Sequence, residues 1–216
     1  MRLKLGIQVV LWIASIFFAY KIYDAISGPI RFNEIKNDRY AKVIDRMKDI
    51  RTAQIAHKDV KGIYSNNFDS LVKFIDEGIF TLIEKRDSSY MEYDRTYRID
   101  MLREVIVVDT LGYFPVKDSL FKDSKIYKDF AKVPIKGIEA EFDIKADIVD
   151  KNGFRVPVFE VKVDKKIILH DQNKDLLQQE KETVSVDGVN GPSIILGSLT
   201  EVSTNGNWPT IFDAVQ

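Results

Sequence analysis

The sequence has no cysteine, only two histidines and no block of like charge. Without cysteine, the chain cannot form disulfides, thiolate metal sites or a cysteine nucleophile. Its 32 basic and 33 acidic residues almost cancel, so it lacks the positive surface with which nucleic-acid-binding proteins hold phosphates. We therefore expect no nucleic acid among its partners.

Motifs for catalysis are also missing from the sequence. His57 and His170 have no second metal ligand at helical spacing, which favours ordinary surface or partly packed histidines. No serine lies in a Gly-x-Ser-x-Gly motif, and there is no glycine-rich phosphate loop. Because no acid, base and nucleophile converge, we expect no enzyme, no catalytic residue and no organic cofactor.

Residues 5–20, with the sequence LGIQVVLWIASIFFAY, form the one long uncharged stretch. As a helix this stretch is about 24 Å long, and apolar side chains occupy all of its faces. Lys4 and Lys21 flank it and can extend their charges towards the lipid headgroups. The pattern predicts a membrane anchor over residues 1–31 that contacts lipid through residues 5–20. A cleaved signal peptide ending near residue 27 is the alternative.

The basic residues Arg2 and Lys4 precede this apolar stretch. The positive-inside rule keeps such a flank in the cytoplasm. We therefore expect a single-pass protein whose remaining residues, 32–216, form an extracytoplasmic α+β domain.

That domain is predicted to begin with an amphipathic helical stalk over residues 32–60. Gly28 and Pro29 predict a bend or helix end before it, and Gly62 predicts its carboxyl end. Apolar residues recur every three or four positions along the stalk. This stripe must be covered either by the downstream domain or by another subunit. Its predicted partner interface comprises Tyr40, Val43, Met47 and Ile50.

The rest of the chain predicts a second, short helix and a β-rich carboxyl-terminal third. The short helix has Asn67 or Asp69 as its cap and ends at Gly78. Its apolar face comprises Phe68, Leu71, Val72, Phe74 and Ile75. Residues 84–103 are dense in charge and predict a mobile or interface segment. Strands are predicted at 104–110, 141–148, 156–163, 167–169, 183–186 and 193–196, with a break at 112–115, a hairpin turn at 150–153 and a helical turn at 174–181. The expected fold class is α+β, with a long amino-terminal helix packed on a mostly antiparallel sheet.

One stretch has part of the pattern of a calcium loop. Its oxygen-bearing residues lie at the first, third, fifth and twelfth positions, which are the positions that fold around a hard cation. They are Asp171, Asn173, Asp175 and Glu182. Leu176 takes the place of the glycine that makes the sharp turn, so a capped turn leading into the helix at 174–181 is the simpler interpretation. The stretch leaves open a second function, that of a membrane-tethered ligand- or calcium-binding module.

The order of a basic stub, apolar helix, proline, amphipathic helix and sheet resembles the type IV pilins and the pseudopilins of type II secretion. Residues 50–64, with the sequence IRTAQIAHKDVKGIY, carry the most specific likeness, and the resemblance covers roughly residues 1–80. It implies a processing glycine at Gly6, although Leu11 stands where the family has a glutamate.

The same resemblance implies a location and a function. Members of the family are held in the membrane by the apolar helix and assemble by packing those helices together. The protein is thus expected in the bacterial inner membrane with most of its chain in the periplasm. Its expected function is that of a pilin-like structural or assembly subunit of a cell-envelope or secretion apparatus, with other subunits or copies of itself as partners.

Overall fold

The computed structural model describes residues 2–213 and has the predicted α+β class, with one long amino-terminal helix and antiparallel sheets. Helix α1 spans Arg2–Lys61, and its 60 residues extend over about 90 Å at 1.5 Å per residue. The other elements are α2 (Phe68–Glu77), β1 (Ile79–Asp94), β2 (Ile99–Pro115), α3 (Val116–Leu120), β3 (Asp143–Lys151), β4 (Phe154–Asp164), α4 (Lys165–Ile168), α5 (Lys174–Lys181) and β5 (Ser193–Gly197), with 3-10 turns at Ile126–Asp129 and Thr210–Phe212.

Helix α1 continues through Pro29, so the helix does not end at Gly28 and Pro29, and a bend there stays a prediction. A proline removes a single N–H donor and its cost is local, whereas the residues on both sides of Pro29 have a helical pattern. The predicted carboxyl end is confirmed. Gly62 follows the helix with a φ of 78°, and its N–H donates to the Lys58 carbonyl at 2.7 Å, as in a left-handed cap.

The chain divides into two compact units, of which one comprises residues 50–130. In this unit α2 begins at the predicted cap, because the side chain of Asn67 accepts a hydrogen bond from the Ser70 N–H at 2.7 Å. The buried apolar residues of the unit are Ile50, Ala53, Ala56, Tyr64, Leu71, Phe74, Ile75, Val116, Tyr127 and Phe130. His57 is 7% exposed, and its Nδ1 lies 2.6 Å from the Ile63 carbonyl oxygen, which confirms a packed histidine.

Strands β1 and β2 form a two-stranded antiparallel ribbon in the same unit. Its register runs from Ile79 opposite Pro115 to Asp94 opposite Ile99, with an irregularity between Leu82 and Ile83. Residues 84–103, predicted as a mobile or interface segment, therefore lie mostly in strands, and 112–115 do not break β2. Neither face of the ribbon is buried, so no core imposed the alternation that identifies a strand in a sequence.

The other unit comprises residues 1–49 and 131–216, described to residue 213. It contains the three-stranded antiparallel sheet in the order β3-β4-β5. Asn152 and Gly153 connect β3 to β4 with φ values of 55° and 83°, and this confirms the predicted hairpin turn. Pro157 lies where β4 pairs only with β3, a position that does not need a second donor.

Two short predicted strands in this unit are wrong. Residues 167–169 lie at and just after the end of helix α4, which Asp164 caps by accepting a hydrogen bond from the Lys166 N–H at 2.8 Å. Residues 183–186 are not in a strand. Helix α5 has the predicted bounds. The core of the unit comprises Phe32, Tyr40, Val43, Ile44, Met47, Val133, Phe142, Val158, Phe159, Val161, Val163, Ile168, Leu169, Leu177, Val189, Ile194, Leu196 and Trp208.

Candidate functional site

The first half of α1 exposes a nearly continuous apolar surface. The large apolar side chains described there are 53–67% exposed: Ile7, Val10, Leu11, Trp12, Ile13, Ile16, Phe17, Phe18, Tyr20, Ile22, Tyr23, Ile26 and Ile30. Among the residues that the structure describes, α1 is the one helix long and apolar enough to cross a membrane. The predicted processing residue, Gly6, lies within this helix in open space.

Burial begins abruptly at Phe32, which is only 5% exposed. The four residues of the predicted partner interface follow it on α1, and Tyr40, Val43, Met47 and Ile50 are each 0–1% exposed within this single chain. The prediction that they form an interface with another subunit is therefore corrected. Their stripe is covered by the protein itself, and association between chains would need other residues.

A double ion pair joins α1 to the loop before α5. Arg39 donates from Nη1 to Asp171 Oδ1 at 2.6 Å and from Nη2 to Oδ2 at 2.8 Å. Its Nη1 also donates to the Ile168 carbonyl at 2.7 Å. The hydrogen bonds from Arg39 hold the pKa of Asp171 well below its usual range, since they favour the charged carboxylate. The same hydrogen bonds raise the pKa of Arg39.

A second polar group lies beneath α1 and centres on Lys165, which is fully buried. Its Nζ donates to the Glu180 carbonyl at 2.7 Å, to Glu180 Oε1 at 2.9 Å and to the Val189 carbonyl at 2.7 Å. These three acceptors use all three donors of an ammonium group. The carboxylate of Glu180 also accepts from Lys36 Nζ at 3.0 Å and from the Tyr40 hydroxyl at 3.3 Å.

Burial determines the direction of the pKa shifts in this group. Desolvation lowers the pKa of Lys165 and raises the pKa of Tyr40, because it disfavours the charged form of each. A cavity of about 280 Å³ adjoins the group, lined among others by Lys36, Tyr40, Glu180, Val189, Ile211 and Phe212. Every buried side-chain nitrogen or oxygen in the described residues has a hydrogen-bond partner. This arrangement fixes α1 in its unit and leaves no buried polar atom aimed at a ligand.

Three of the four predicted calcium ligands use their side-chain oxygens for other contacts. Asp171 binds Arg39, and Asn173 caps α5 by accepting hydrogen bonds from the N–H groups of Asp175 and Leu176 at 2.8 and 3.3 Å. The carboxylate of Glu182 accepts from Gln178 Nε2. Within residues 2–213, no group of three or more acidic or histidine side chains is placed to hold a metal. Calcium binding stays a prediction, and it would require Asp171 to leave Arg39.

The exposed ribbon β1–β2 is the surface that sequence reasoning missed. Its apolar residues include Met91, Leu102, Ile106 and Val108, which are 52–65% exposed. In the described part of the chain each strand has the other as its sole neighbour, so both outer edges present unpaired backbone groups. The β-branched run at 105–108 predicted a strand at 104–110, which is only part of β2.

Comparisons with known proteins add no assignment. No protein-family model, curated protein or solved structure matches the chain. The pilin-like resemblance therefore stays a prediction.

Proposed function

We propose that this protein is a membrane-anchored, pilin-like assembly subunit of a bacterial cell-envelope or secretion apparatus. In this proposal residues 5–20 lie in the inner membrane, and the chain beyond the anchor works in the periplasm through contacts with other subunits. The orientation follows from Arg2 and Lys4, which the positive-inside rule retains in the cytoplasm.

One observation carries the proposal: in a single helix, the large apolar side chains described between Ile7 and Ile30 are exposed, and from Phe32 onwards the helix contributes to a core. Burial in lipid or against like helices stabilises a large apolar side chain by about 1.5–3 kcal/mol. The exposed side chains of α1 therefore favour a nonpolar environment strongly. No loop separates the anchor from the core residues of α1, so one continuous helix connects the two.

The polar contacts of α1 support a structural role for the helix beyond the membrane. Lys36 and Tyr40 bind Glu180, and Arg39 binds Asp171. These contacts begin about one helical turn after Phe32. They fix the helix to its unit beyond the exposed apolar stretch, which favours a structural stalk over a flexible tether.

Membrane retention is the first test. We expect the full-length chain to stay in the membrane fraction after alkaline carbonate extraction, and a variant lacking residues 2–31 to be released. The double variant Ile13→Lys, Ile16→Lys should weaken retention, because charges at the centre of an anchor cost about 2.5–3.5 kcal/mol each. The exposed substitution Asp38→Lys is the matched control. Full-length protein found in the soluble fraction would overturn the proposal.

Assembly and processing need separate measurements. A chain without cysteine allows a single thiol to be introduced, and Ser15→Cys in the exposed half of α1 should cross-link between copies in membranes. Asp38→Cys, on the water-exposed side of the stalk, is the control that should not. Intact mass reports processing: loss of residues 1–6 supports the pilin route, and cleavage near residue 27 contradicts the anchor.

A further inference from the structure

The ribbon β1–β2 is incomplete as a sheet. It has two strands and two open edges in the described residues, and two-stranded hairpins are marginally stable in water on their own. Natural edge strands are normally protected by charge, proline or a bulge. An edge of the ribbon that lacks such protection can pair with another strand.

The two edges differ in their central residues. The middle of β1 carries four consecutive charged residues, 84–87, with the sequence EKRD, and such a run discourages pairing with another strand. The middle of β2 carries four consecutive β-branched residues, Val105, Ile106, Val107 and Val108. Ile106 and Val108 are 62% and 52% exposed. The unprotected edge is thus that of β2.

The ribbon also contains an electrostatic conflict that its own residues only partly relieve. Glu84 lies directly opposite Asp109 in the register, and like charges in directly opposite positions destabilise a sheet. Arg86 forms an ion pair with Asp109 from a diagonal position. On the outer side of Asp109, the edge of β2 is open, and a cation there would offset the conflict.

The sequence of β2 supplies such a cation when a second copy pairs with it. Arg103 and Asp109 lie three residues before and after Ile106, and because they are six residues apart their side chains share one face of the ribbon. If two β2 strands pair antiparallel about a two-fold axis at Ile106, each Arg103 lies opposite Asp109 of the other copy. Val105 then lies opposite Val107 of the other copy.

We infer that the edge of β2 is a self-association surface, where a second copy of this chain pairs through residues 103–109 to form a continuous four-stranded antiparallel sheet. The charge complementarity of Arg103 and Asp109 sets the register, and the run at 105–108 supplies the apolar contact. This inference deepens the proposed function, because it rests on assembly and names the surface and the partner.

Charge reversal in the full-length, membrane-embedded protein tests the register. The variants Arg103→Glu and Asp109→Arg each place like charges across the proposed axis, and we expect each to reduce association about tenfold. The double variant Arg103→Glu, Asp109→Arg restores opposite charges between copies and should recover association.

The double variant separates the proposal from effects within one chain. Within a chain Arg103 binds Glu92, with its Nε 2.9 Å from Oε2, and Asp109 binds Arg86. Both contacts become repulsive in the double variant, and the cation at position 109 gains only Glu84, which lies opposite it. Contacts within one chain therefore predict no recovery of association in the double variant. Failure of the double variant to recover association would overturn the inference.

Cross-linking locates the two-fold axis. We expect Ile106→Cys to give a covalent dimer with a short bis-maleimide in membranes, because the axis places the two thiols side by side. Ser89→Cys, on β1 and on the same face as Ile106, is the matched control, and cross-linking through Ser89→Cys instead would show that β1 is the paired edge. Membrane retention, and cross-linking through Ser15→Cys, without cross-linking through Ile106→Cys would overturn edge pairing and leave the proposed function standing.

Discussion

Arg39 holds both carboxylate oxygens of Asp171, with nitrogen–oxygen distances of 2.6 and 2.8 Å. The same guanidinium donates to the carbonyl of Ile168, the last residue of α4. A planar guanidinium fits this paired geometry and a lysine does not. One side chain of α1 therefore fixes both the end of α4 and the loop before α5.

This ion pair should make the protein more sensitive to acid. Because the pKa of Asp171 is lower in the folded state than its usual 3.8, its contribution is fully present above that value and is lost as the pH falls below it. Asp171 is 44% exposed, so screening by water limits the effect of Asp171→Asn to about 0.5–1 kcal/mol at neutral pH. Thermal unfolding of the detergent-solubilised chain between pH 7 and pH 2 measures it.

The exposed pair between Lys42 and Asp38 provides the control, and these residues lie three residues after and one residue before Arg39 on α1. Asp38→Asn should change the unfolding temperature less than Asp171→Asn does. Equal acid sensitivity in the wild type and Asp171→Asn would contradict a role for this pair.

Glu180→Gln should be among the most destabilising single substitutions in the chain. Lys165 is fully buried and Glu180 is its carboxylate partner at 2.9 Å, so the substitution leaves a buried ammonium without a counter-charge, at a cost of about 3–5 kcal/mol. The double variant Lys165→Met, Glu180→Gln removes both charges and should recover part of the loss. Denaturant unfolding of the wild type, Lys165→Met, Glu180→Gln and the double variant gives the coupling free energy between the two residues. If the two single losses of unfolding free energy simply add up in the double variant, the two charges do not depend on each other and the prediction is wrong.

Tyr40→Phe should act mainly at alkaline pH. Burial raises the pKa of Tyr40 above its usual 10.0, so the folded state keeps the phenol proton where the unfolded state loses it. The stabilisation is present below pH 10 and declines as the pH rises above it. Phenylalanine cannot titrate, so the variant should lose less stability than the wild type between pH 9 and pH 11. Tyr127→Phe serves as a comparison. The pKa of Tyr127 is raised to about 12, mainly by its hydrogen bond to Asp76.

The sequence predicted best those elements that a core or a cap specifies. The bounds of α5 follow from Asn173 at its start, and the β3–β4 turn follows from Asn152 and Gly153, which accept positive φ values. The ribbon could not be predicted as a whole, because with both faces exposed its strands have no alternating pattern. The partner interface was misplaced because a periodic stripe on a helix does not reveal what covers it.

The polar group around Lys165 could not be predicted from the sequence for a different reason. Lys165 and Glu180 are 15 residues apart, and Lys36 joins them from a distance of 144 residues along the chain. Lysine and glutamate are usually solvated, so nothing local marks these two as buried. Only the tertiary fold brings their opposite charges together.

Gly197→Ala should destabilise the unit more than Gly137→Ala. Both glycines have positive φ values, 78° and 82°, but a Cβ at Gly197 would lie 2.3 Å from the Phe159 carbonyl oxygen, whereas a Cβ at Gly137 meets open space. Backbone strain costs each variant about 1 kcal/mol or more, and the clash adds a displacement of β5 from β4 in Gly197→Ala alone. The unfolding free energies of the two variants separate backbone strain from the clash with Phe159. Equal losses of unfolding free energy in both variants would contradict the close approach of Gly197 to the Phe159 carbonyl.

Calcium should leave the unfolding temperature unchanged, whereas Asn173→Ala should lower stability by about 1 kcal/mol. The reason is the same for both: the side chain of Asn173 already accepts two backbone N–H groups of α5, and Asp171 already binds Arg39. A cation would have to displace these contacts and rebuild the loop around Leu176, where calcium loops have glycine. Lys174→Ala, at the neighbouring exposed position, is the control for the cap. Unfolding with calcium and with a chelator decides the point, and a calcium-dependent rise that Asp175→Asn abolishes would establish the metal site instead of the capped turn.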